Sequence, residues 1–351
     1  MIIRILLTPV AWIYGFFISL RNLLYDTGVL RSSKFSIPII SVGNLSIGGA
    51  GKTPHVEYLI RLLNPFLDVA TLSRGYNRQT TGYRAVKRED TALSVGDEPL
   101  MYARKYPDIF VAVGENRSLA IPQMVMQRPG LQTLLLDDAY QHRSVLSNVN
   151  ILLTPYDQPY TEDALLPAGR LREYASSSKR ANIIIVTKCP SDLSQKQREE
   201  MIAKISPEAN QEVYFTCYEY GLPYSFYNGG NNLPLNKEVD AVIISAIANT
   251  QYMMQYLNPL LGSHTLLEYE DHHNFNGDDV EYLIKIYRGR ESKNCIVLTT
   301  EKDAVRLATH IQRLHSEKIP VYVLPLRVNF LHQDQLRFDE SIRQSLLEFK
   351  N

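Results

Sequence analysis

One stretch constrains the fold more than any other: "IPIISVGNLSIGGAGKTPHVEYLIRLL", residues 37–63. An apolar, β-branched run leads into clustered glycines, then Gly51-Lys52-Thr53, then a helical pattern. This is the strand–turn–helix context of a phosphate-binding loop, G-x-x-x-x-G-K-[ST]. Backbone N–H groups of Ser46, Gly48, Gly49, Ala50 and Gly51, with the helix N-terminus, would cradle phosphates. Lys52 would reach the β- and γ-phosphates, and the Thr53 hydroxyl would ligate Mg²⁺. Pro54 suits the first helical turn, where a missing N–H costs little. Ser46 stands where the pattern has its first glycine. That position requires mainly a turn, and Gly48 and Gly49 can supply the permissive backbone.

Such a loop calls for an acidic element at the end of another buried strand. "LQTLLLDDAYQH" provides it in Asp137 and Asp138. Strand alternation means that the two carboxylates need not face one ligand, and either one can hold the metal. Further apolar runs at 68–72, 109–113, 149–153 and 181–187 alternate with helical patterns at 54–63, 97–105 and 115–127. A second series of strands near 212–218, 240–246, 264–269, 294–299 and 320–325 comes with helices at 194–205, 277–289, 302–312 and 336–348. The fold class is α/β, P-loop NTPase-like, with a mostly parallel sheet covered by helices on both faces. "YNGGNNLPLNK" (227–237) reads as a linker, which gives an N-terminal segment 1–35, a core 36–226 and a smaller C-terminal α/β domain 238–351.

Composition narrows the class of partner. Residues 1–88 carry 11 Lys/Arg against Asp26, Glu57 and Asp68, about +8, in a chain of zero formal net charge. A basic half suits an anionic ligand or an anionic membrane surface. Cys189, Cys217 and Cys295 form no C-x-x-C and are odd in number, so neither a disulfide framework nor a zinc site is expected. Residues 5–20, "ILLTPVAWIYGFFISL", are almost wholly apolar and lie between Arg4 and Arg21. The run is short for a bilayer span, is interrupted by Pro9 and Gly15, and has no A-x-A-like cleavage site after it. Trp12, Tyr14, Phe16 and Phe17 beside arginines suit a helix lying on anionic lipid, with burial against the main domain as the alternative.

Phosphoryl transfer also needs a group that positions the acceptor hydroxyl, and cations for the developing charge. Asp97 and Glu98 stand at a predicted helix start, which also suits simple capping. Asp271, His272 and His273 follow a strand, and either histidine could share a proton with a carboxylate. Arg170, Arg172 and Glu173 in "LLPAGRLRE" are candidates for phosphate contact.

These stretches resemble the tetraacyldisaccharide 4′-kinase family, the lipid A 4′-kinases of Gram-negative bacteria. The resemblance is carried by "SVGNLSIGGAGKTP", "LSRGY", "VGDEP", "GENR", "LLLDDAYQH", "LLPAGRLRE", "DHHNF" and "TEKDAV", in order from residue 41 to 305. The family loop itself carries a small hydroxyl residue at the position of Ser46. The resemblance implies a kinase that transfers the γ-phosphoryl of ATP, with Mg²⁺, to the 4′-hydroxyl of a tetraacyl disaccharide 1-phosphate. It implies a membrane-associating N-terminal helix at the cytoplasmic face of the inner membrane, with no nucleic acid and no obligate protein partner. Asp97 would be the catalytic carboxylate with His272 as its partner, His273 being the other choice. Lys52 and Arg172 would serve the phosphoryl group, Asp137 and Asp138 the metal, and Glu98, Arg74, Tyr76, Arg117 and Glu173 the substrate. Asp138-Ala139-Tyr140 stands where the family often has D-D-G-L, and 246–250, "AIANT", where it typically has G-I-G-N-P. The competing reading is a membrane-associated P-loop ATPase or nucleotide switch driving a partner.

Overall fold

The computed structural model describes residues 2–349. The chain runs α1 (Ile2–Asp26), β1 (Ile39–Asn44), α2 (Lys52–Leu63), β2 (Val69–Ser73), β3 (Arg84–Ala85), α3 (Ala92–Val95), α4 (Asp97–Lys105), β4 (Phe110–Val113), α5 (Arg117–Gln127), β5 (Thr133–Asp137) and β6 (Val149–Pro155). It continues through β7 (Ile183–Thr187), α6 (Gln195–Ile205), β8 (Glu212–Tyr220), β9 (Tyr224–Ser225), β10 (Asp240–Ser245), α7 (Gln251–Leu257), β11 (Ser263–Glu268) and α8 (Gly277–Arg288). It ends with β12 (Cys295–Thr300), α9 (Glu301–Leu307), α10 (Ile311–Ser316), β13 (Val321–Leu324), β14 (Leu326–Phe330) and α11 (Gln335–Leu347).

All six residues of β1 are buried. A strand without a polar face has to be covered on both sides, which a parallel sheet with crossover helices achieves. β1 accordingly lies mid-sheet between β5 and β6, parallel to both. The large sheet has nine strands in the order β14-β8-β7-β6-β1-β5-β2-β4-β3, antiparallel only at its two ends. One face buries Ile40, Val56, Leu59 and Ile60 against α2 and α4, and the other buries Ile39, Leu134, Leu152 and Ile184. A second sheet has five strands in the order β11-β10-β12-β13-β9.

The sheets do not divide where the sequence places the boundary. β9, before the expected linker, pairs with β13 of the small sheet. β14 and α11, expected within a C-terminal unit 238–351, return to the large sheet, where β14 pairs with β8. The cause is aromatic burial: Phe330 and Phe338 stack at 4.6 Å and pack against Tyr58 and Tyr214. α1 also differs from its expected interruption, since Pro9 and Gly15 lie inside one continuous helix. Gly15 is its point of closest approach, because a Cβ there would come within 2.3 Å of the Tyr174 hydroxyl.

The loop after β1 is braced from α2. His55, 3% exposed, lies 2.7 Å from the Gly51 carbonyl through Nδ1 and 3.1 Å from Thr216 Oγ1 of β8 through Nε2. The neutral ring satisfies both by donating from Nδ1 and accepting at Nε2. Burial lowers its pKa from the usual 6.5 to about 4.

Two predictions follow from these contacts. Phe338→Ala should lower unfolding free energy by about 3–5 kcal/mol, as a large aromatic cavity does, measured by urea denaturation. For His55, the unfolded chain takes up a proton near pH 6.5 and the folded one only near pH 4. Stability is therefore intact above pH 6.5 and falls as pH drops through that window, by about 3 kcal/mol for this group. Denaturation curves from pH 7.5 to 4.5 should show the slope, and His55→Gln should flatten it.

Candidate active site

The phosphate loop hangs between Asn44 at the end of β1 and Lys52 at the start of α2. Gly48 and Gly51 adopt left-handed φ of 105° and 83°, which other residues rarely tolerate. Ser46 is not among the described residues with positive φ. It forms an antiparallel bridge to Leu171 instead, and its carbonyl accepts from Asn44 Nδ2 at 2.6 Å. A glycine is therefore not required at position 46. Thr53 lies in the first turn of α2 beside Lys52.

Four side chains meet over this loop. Lys52 Nζ lies 3.6 Å from Asp138 Oδ1 and 3.1 Å from Asn44 Oδ1. Arg172 Nη2 donates to Asp138 Oδ1 at 3.0 Å and to Asn44 Oδ1 at 2.6 Å. Asp138 follows β5 directly on a left-handed backbone with φ of 49°. Burial would raise its pKa, but Lys52 and Arg172 hold the carboxyl below the usual range. Asp137 points the other way, is buried, and accepts from the Tyr102 hydroxyl at 2.9 Å. Burial and the adjacent Asp138 raise its pKa. The two aspartates thus separate, with Asp138 at the loop and Asp137 in the packing beneath.

A second cluster lies at the N-terminus of α4. Gly96 precedes Asp97 with φ of 92°, and a Cβ there would approach Gly75 Cα to 3.0 Å. Asp97 is 4% exposed. His272 Nδ1 lies 3.0 Å from Asp97 Oδ2, and Arg306 also pairs with that oxygen. Lys302 Nζ is 3.9 Å from Asp97 and 2.6 Å from Glu98. Burial works to raise the Asp97 pKa, but hydrogen bonding from Glu98 and His272, with the charges of Lys302 and Arg306, holds it well below the usual value. Glu98 moves the other way, up to about 7, chiefly by burial. Asp97, Glu98 and His272 could converge on a cation, but Lys302 and Arg306 already balance their charge. His273 turns away to Asp279 at 2.8 Å and stacks on Tyr269.

The clusters are physically joined. Tyr102, which hydrogen bonds Asp137, sits on the same helix as Asp97. Tyr76, 58% exposed, packs its ring at a tilt against His272 with centroids 4.7 Å apart, beside a cleft lined by Asp97, Asn274 and Arg306. Arg117 is 1% exposed, and its Nη1 donates to the carbonyls of Gly114 and Glu115. Its Nε and Nη2 have no partner among the described residues. Burial lowers its pKa to about 10, while Asp138 and Asp137 act in the opposite direction. Arg74 is solvent-exposed.

Two expected residues go elsewhere. Glu173 is fully buried, paired with Arg180 at 2.5 Å and Arg21 at 3.8 Å, and so faces α1. Arg170 pairs with Asp163 at 3.0 Å, away from Asp138. Asn44, Tyr102, Lys302 and Arg306 were not anticipated. Lys302 and Arg306 carried a readable signal, since i and i+4 share one helix face.

This arrangement agrees with what the chain is similar to. A family model described as tetraacyldisaccharide-1-P 4′-kinase matches residues 3–347. Proteins named tetraacyldisaccharide 4′-kinase from Phocaeicola vulgatus and Flavobacterium johnsoniae are each 40% identical to it. These matches cover 96% and 99% of this chain, and 93% and 98% of the relatives. The crystal structure of LpxK from Aquifex aeolicus in complex with ATP has a TM-score of 0.75 and 26% identity, over 98% of this chain and 99% of that one. Similarity of this extent, from α1 through α11, means that the chain belongs to the tetraacyldisaccharide 4′-kinase family.

Proposed function

We propose that this chain transfers the γ-phosphoryl group of ATP to the 4′-hydroxyl of tetraacyldisaccharide 1-phosphate in lipid A biosynthesis, with Asp97 receiving the hydroxyl proton. The observation that carries the reading is the helix α4, which places Asp97 against His272 and ties it through Tyr102 to the Asp137-Asp138 loop. Family membership supplies the reaction, and that contact supplies the acceptor side of it.

Asp97 is ionised at neutral pH, and the Nδ1–H of His272 orients the carboxylate by donating to Oδ2. Its depressed pKa makes it a weak base. A loose phosphoryl transition state asks little of the base, because most of the rate comes from positioning and electrostatics. Lys52 and Arg172 bring two positive charges to the loop, where phosphoryl oxygens would lie. Arg117 adds a buried guanidinium whose Nε and Nη2 find no partner among the described residues and call for an anion, and a phosphate suits them. Tyr76 offers an exposed aromatic face beside Asp97 on which a sugar ring can rest. The oxygen donors Thr53 and Asp138 form a hard set that fits Mg²⁺. When bound there, Mg²⁺ would neutralise charge on the β- and γ-phosphate oxygens.

α1 supports a lipid acceptor. Trp12, Ile13, Phe16 and Phe17 are each more than 60% exposed, while Ala11 and Gly15 are buried. An exposed apolar stripe of this kind on a helix suits a membrane surface. The relatives come from Gram-negative bacteria, and a loop that would consume ATP supports the reading that this surface lies at the cytoplasmic face of the inner membrane.

Asp97→Asn should lower kcat by about 10²–10⁴-fold while the KM for ATP changes by less than about threefold. Lys52→Ala should damage both. Transfer from γ-labelled ATP to tetraacyldisaccharide 1-phosphate checks this, and near-wild-type turnover in Asp97→Asn ends the base assignment. Replacing both Phe16 and Phe17 by Ser should weaken binding to phosphatidylglycerol-containing liposomes by at least about tenfold, given about 1.5–3 kcal/mol for each buried aromatic. Flotation assays with an unchanged melting temperature are the check.

A further inference from the structure

His272 is fixed in place before its side chain meets anything. Its backbone is left-handed, φ 63°, and its N–H donates to the Ala246 carbonyl at 3.1 Å. Arg306 Nη1 donates to the same carbonyl at 2.9 Å, so the turn and the guanidinium are held together. A non-glycine residue keeps such a backbone only where its surroundings impose it. The ring therefore arrives beside Asp97 already oriented, and its chemistry depends on where its protons sit.

The neighbours of the two ring nitrogens decide that. Nδ1 lies 3.0 Å from Asp97 Oδ2. A bare Nδ1 would set one acceptor against another, so this nitrogen carries a proton. Nε2 then fixes the charge: bare, the ring is neutral, and protonated, it is an imidazolium. Two groups compete for Nε2. Lys302 Nζ, 3.4 Å away, can only donate. Asp271 Oδ2, 3.7 Å away, can only accept, but Asp271 is exposed and water can satisfy it. Lys302 is held where it is by Glu98 at 2.6 Å, with Asp97 at 3.9 Å. Burial works to lower the pKa of Lys302, but the charges of Glu98 and Asp97 hold it above the usual value, so it stays a cation. Arg306 Nη2 lies 3.4 Å from Nδ1, and Tyr76 covers the ring without adding charge. Around the imidazole, Lys302 and Arg306 thus oppose a second proton, Asp97 favours it, and Asp271 favours it weakly from solvent.

We propose that Lys302 is a positioning residue for the phosphoryl transfer, its ammonium donating to His272 Nε2 and keeping the ring as the neutral Nδ1–H tautomer. The inference rests on the kinase reading and adds to it the group that sets the state of the histidine. An imidazolium would hold the Asp97 carboxylate more tightly and make it a poorer acceptor of the hydroxyl proton. An Nε2–H tautomer would turn a lone pair toward the carboxylate and lose its orientation. With the neutral Nδ1–H ring on Oδ2, Asp97 keeps Oδ1, which accepts the Glu98 backbone N–H at 3.2 Å, to receive the hydroxyl proton. The sugar oxygen then bonds to the γ-phosphorus as the bond to the ADP oxygen breaks.

Two-bond ¹H–¹⁵N correlation spectra of the full-length protein labelled with ¹⁵N-histidine read which ring nitrogen carries the proton. The His272 signals are identified by their loss in His272→Gln. At about pH 7.5 the wild type should show His272 neutral with Nε2 bare. Lys302→Met should raise the pH at which this ring becomes an imidazolium by about one unit, as removal of a cation in contact does, and Lys302→Arg should restore it. The acid limb of kcat for transfer to tetraacyldisaccharide 1-phosphate should move by the same amount, with the KM for ATP changed less than about twofold. If Glu98, left unpaired, prevents Lys302→Met from folding, Lys302→Met combined with Glu98→Gln takes its place. An Nε2–H or imidazolium ring in the wild type overturns the proposal. So does a Lys302→Met ring that takes up its proton at the wild-type pH, or a kcat lowered equally at every pH. Wild-type protein that transfers no phosphoryl group overturns the kinase reading, while the spectra decide the tautomer independently.

Discussion

The structure turns on one buried charge. Asp97 is 4% exposed and ionised, and an unpaired carboxylate in that position would be costly. Its cations come from the other sheet. Arg306 and Lys302 lie on α9, and His272 lies just beyond β11. Arg306 is fixed in turn by Asp303, fully buried, which also accepts from Ser245, Thr300 and the Ala246 N–H. An ionic chain therefore runs from α4 to the carboxyl ends of β10 and β12. Lys105, bridging Glu57 and Glu301 at 2.7 Å each, makes a second crossing. The small sheet is the source of the countercharge that lets Asp97 exist where it does.

The same principle shapes the loop. Adjacent aspartates cannot share one environment without raising each other's pKa, and the chain separates them by turning the backbone at Asp138. Asp137 sinks into the packing and takes the Tyr102 hydroxyl, while Asp138 gathers Lys52 and Arg172. Which of the two would meet a metal was open from alternation alone. The left-handed residue turns Asp138 toward Lys52 and Arg172, and Tyr102 joins Asp137 to the helix bearing Asp97.

Much of this was legible because its cause is local. Fully apolar runs marked the parallel strands, and Gly-Lys-Thr between strand and helix marked the loop. β14 and α11 were misassigned because the contacts that retain them, Phe330 and Phe338 on Tyr58 and Tyr214, join residues more than a hundred positions apart. Nothing along the chain announces that pairing. The resemblance puts Glu173 among substrate contacts beside Arg172, yet successive side chains diverge: Arg172 meets Asp138 and Glu173 meets Arg21 of α1. The preference for His272 over His273 came from the resemblance, and its physical reason is three-dimensional: His272 meets Asp97 while Asp279 captures the second imidazole. Pro9 and Gly15 gave a false stop in α1, because an exposed helix surface can leave a lost hydrogen bond to water, and Gly15 serves close packing.

α1 is bound to the rest of the chain in a way that fixes its rotation as well as its position. The Tyr14 hydroxyl donates to the Arg172 carbonyl at 2.8 Å, and Arg21 donates to the Gln141 carbonyl at 2.7 Å. Arg143 reaches back to Asp26 and to the carbonyl of Asn22. These anchors are spaced along one stripe of the helix, so the face with Trp12, Phe16 and Phe17 cannot roll inward. They also attach to the two segments that present Asp138 and Arg172 to the loop. A membrane engaged by the apolar face would therefore have the phosphate cluster at a fixed height and orientation above it. On the proposed reading, a disaccharide whose acyl chains stay in lipid would then have only some of its hydroxyls within reach of Asp97. The helix can act in this way as part of the acceptor-positioning machinery as well as an attachment to the surface.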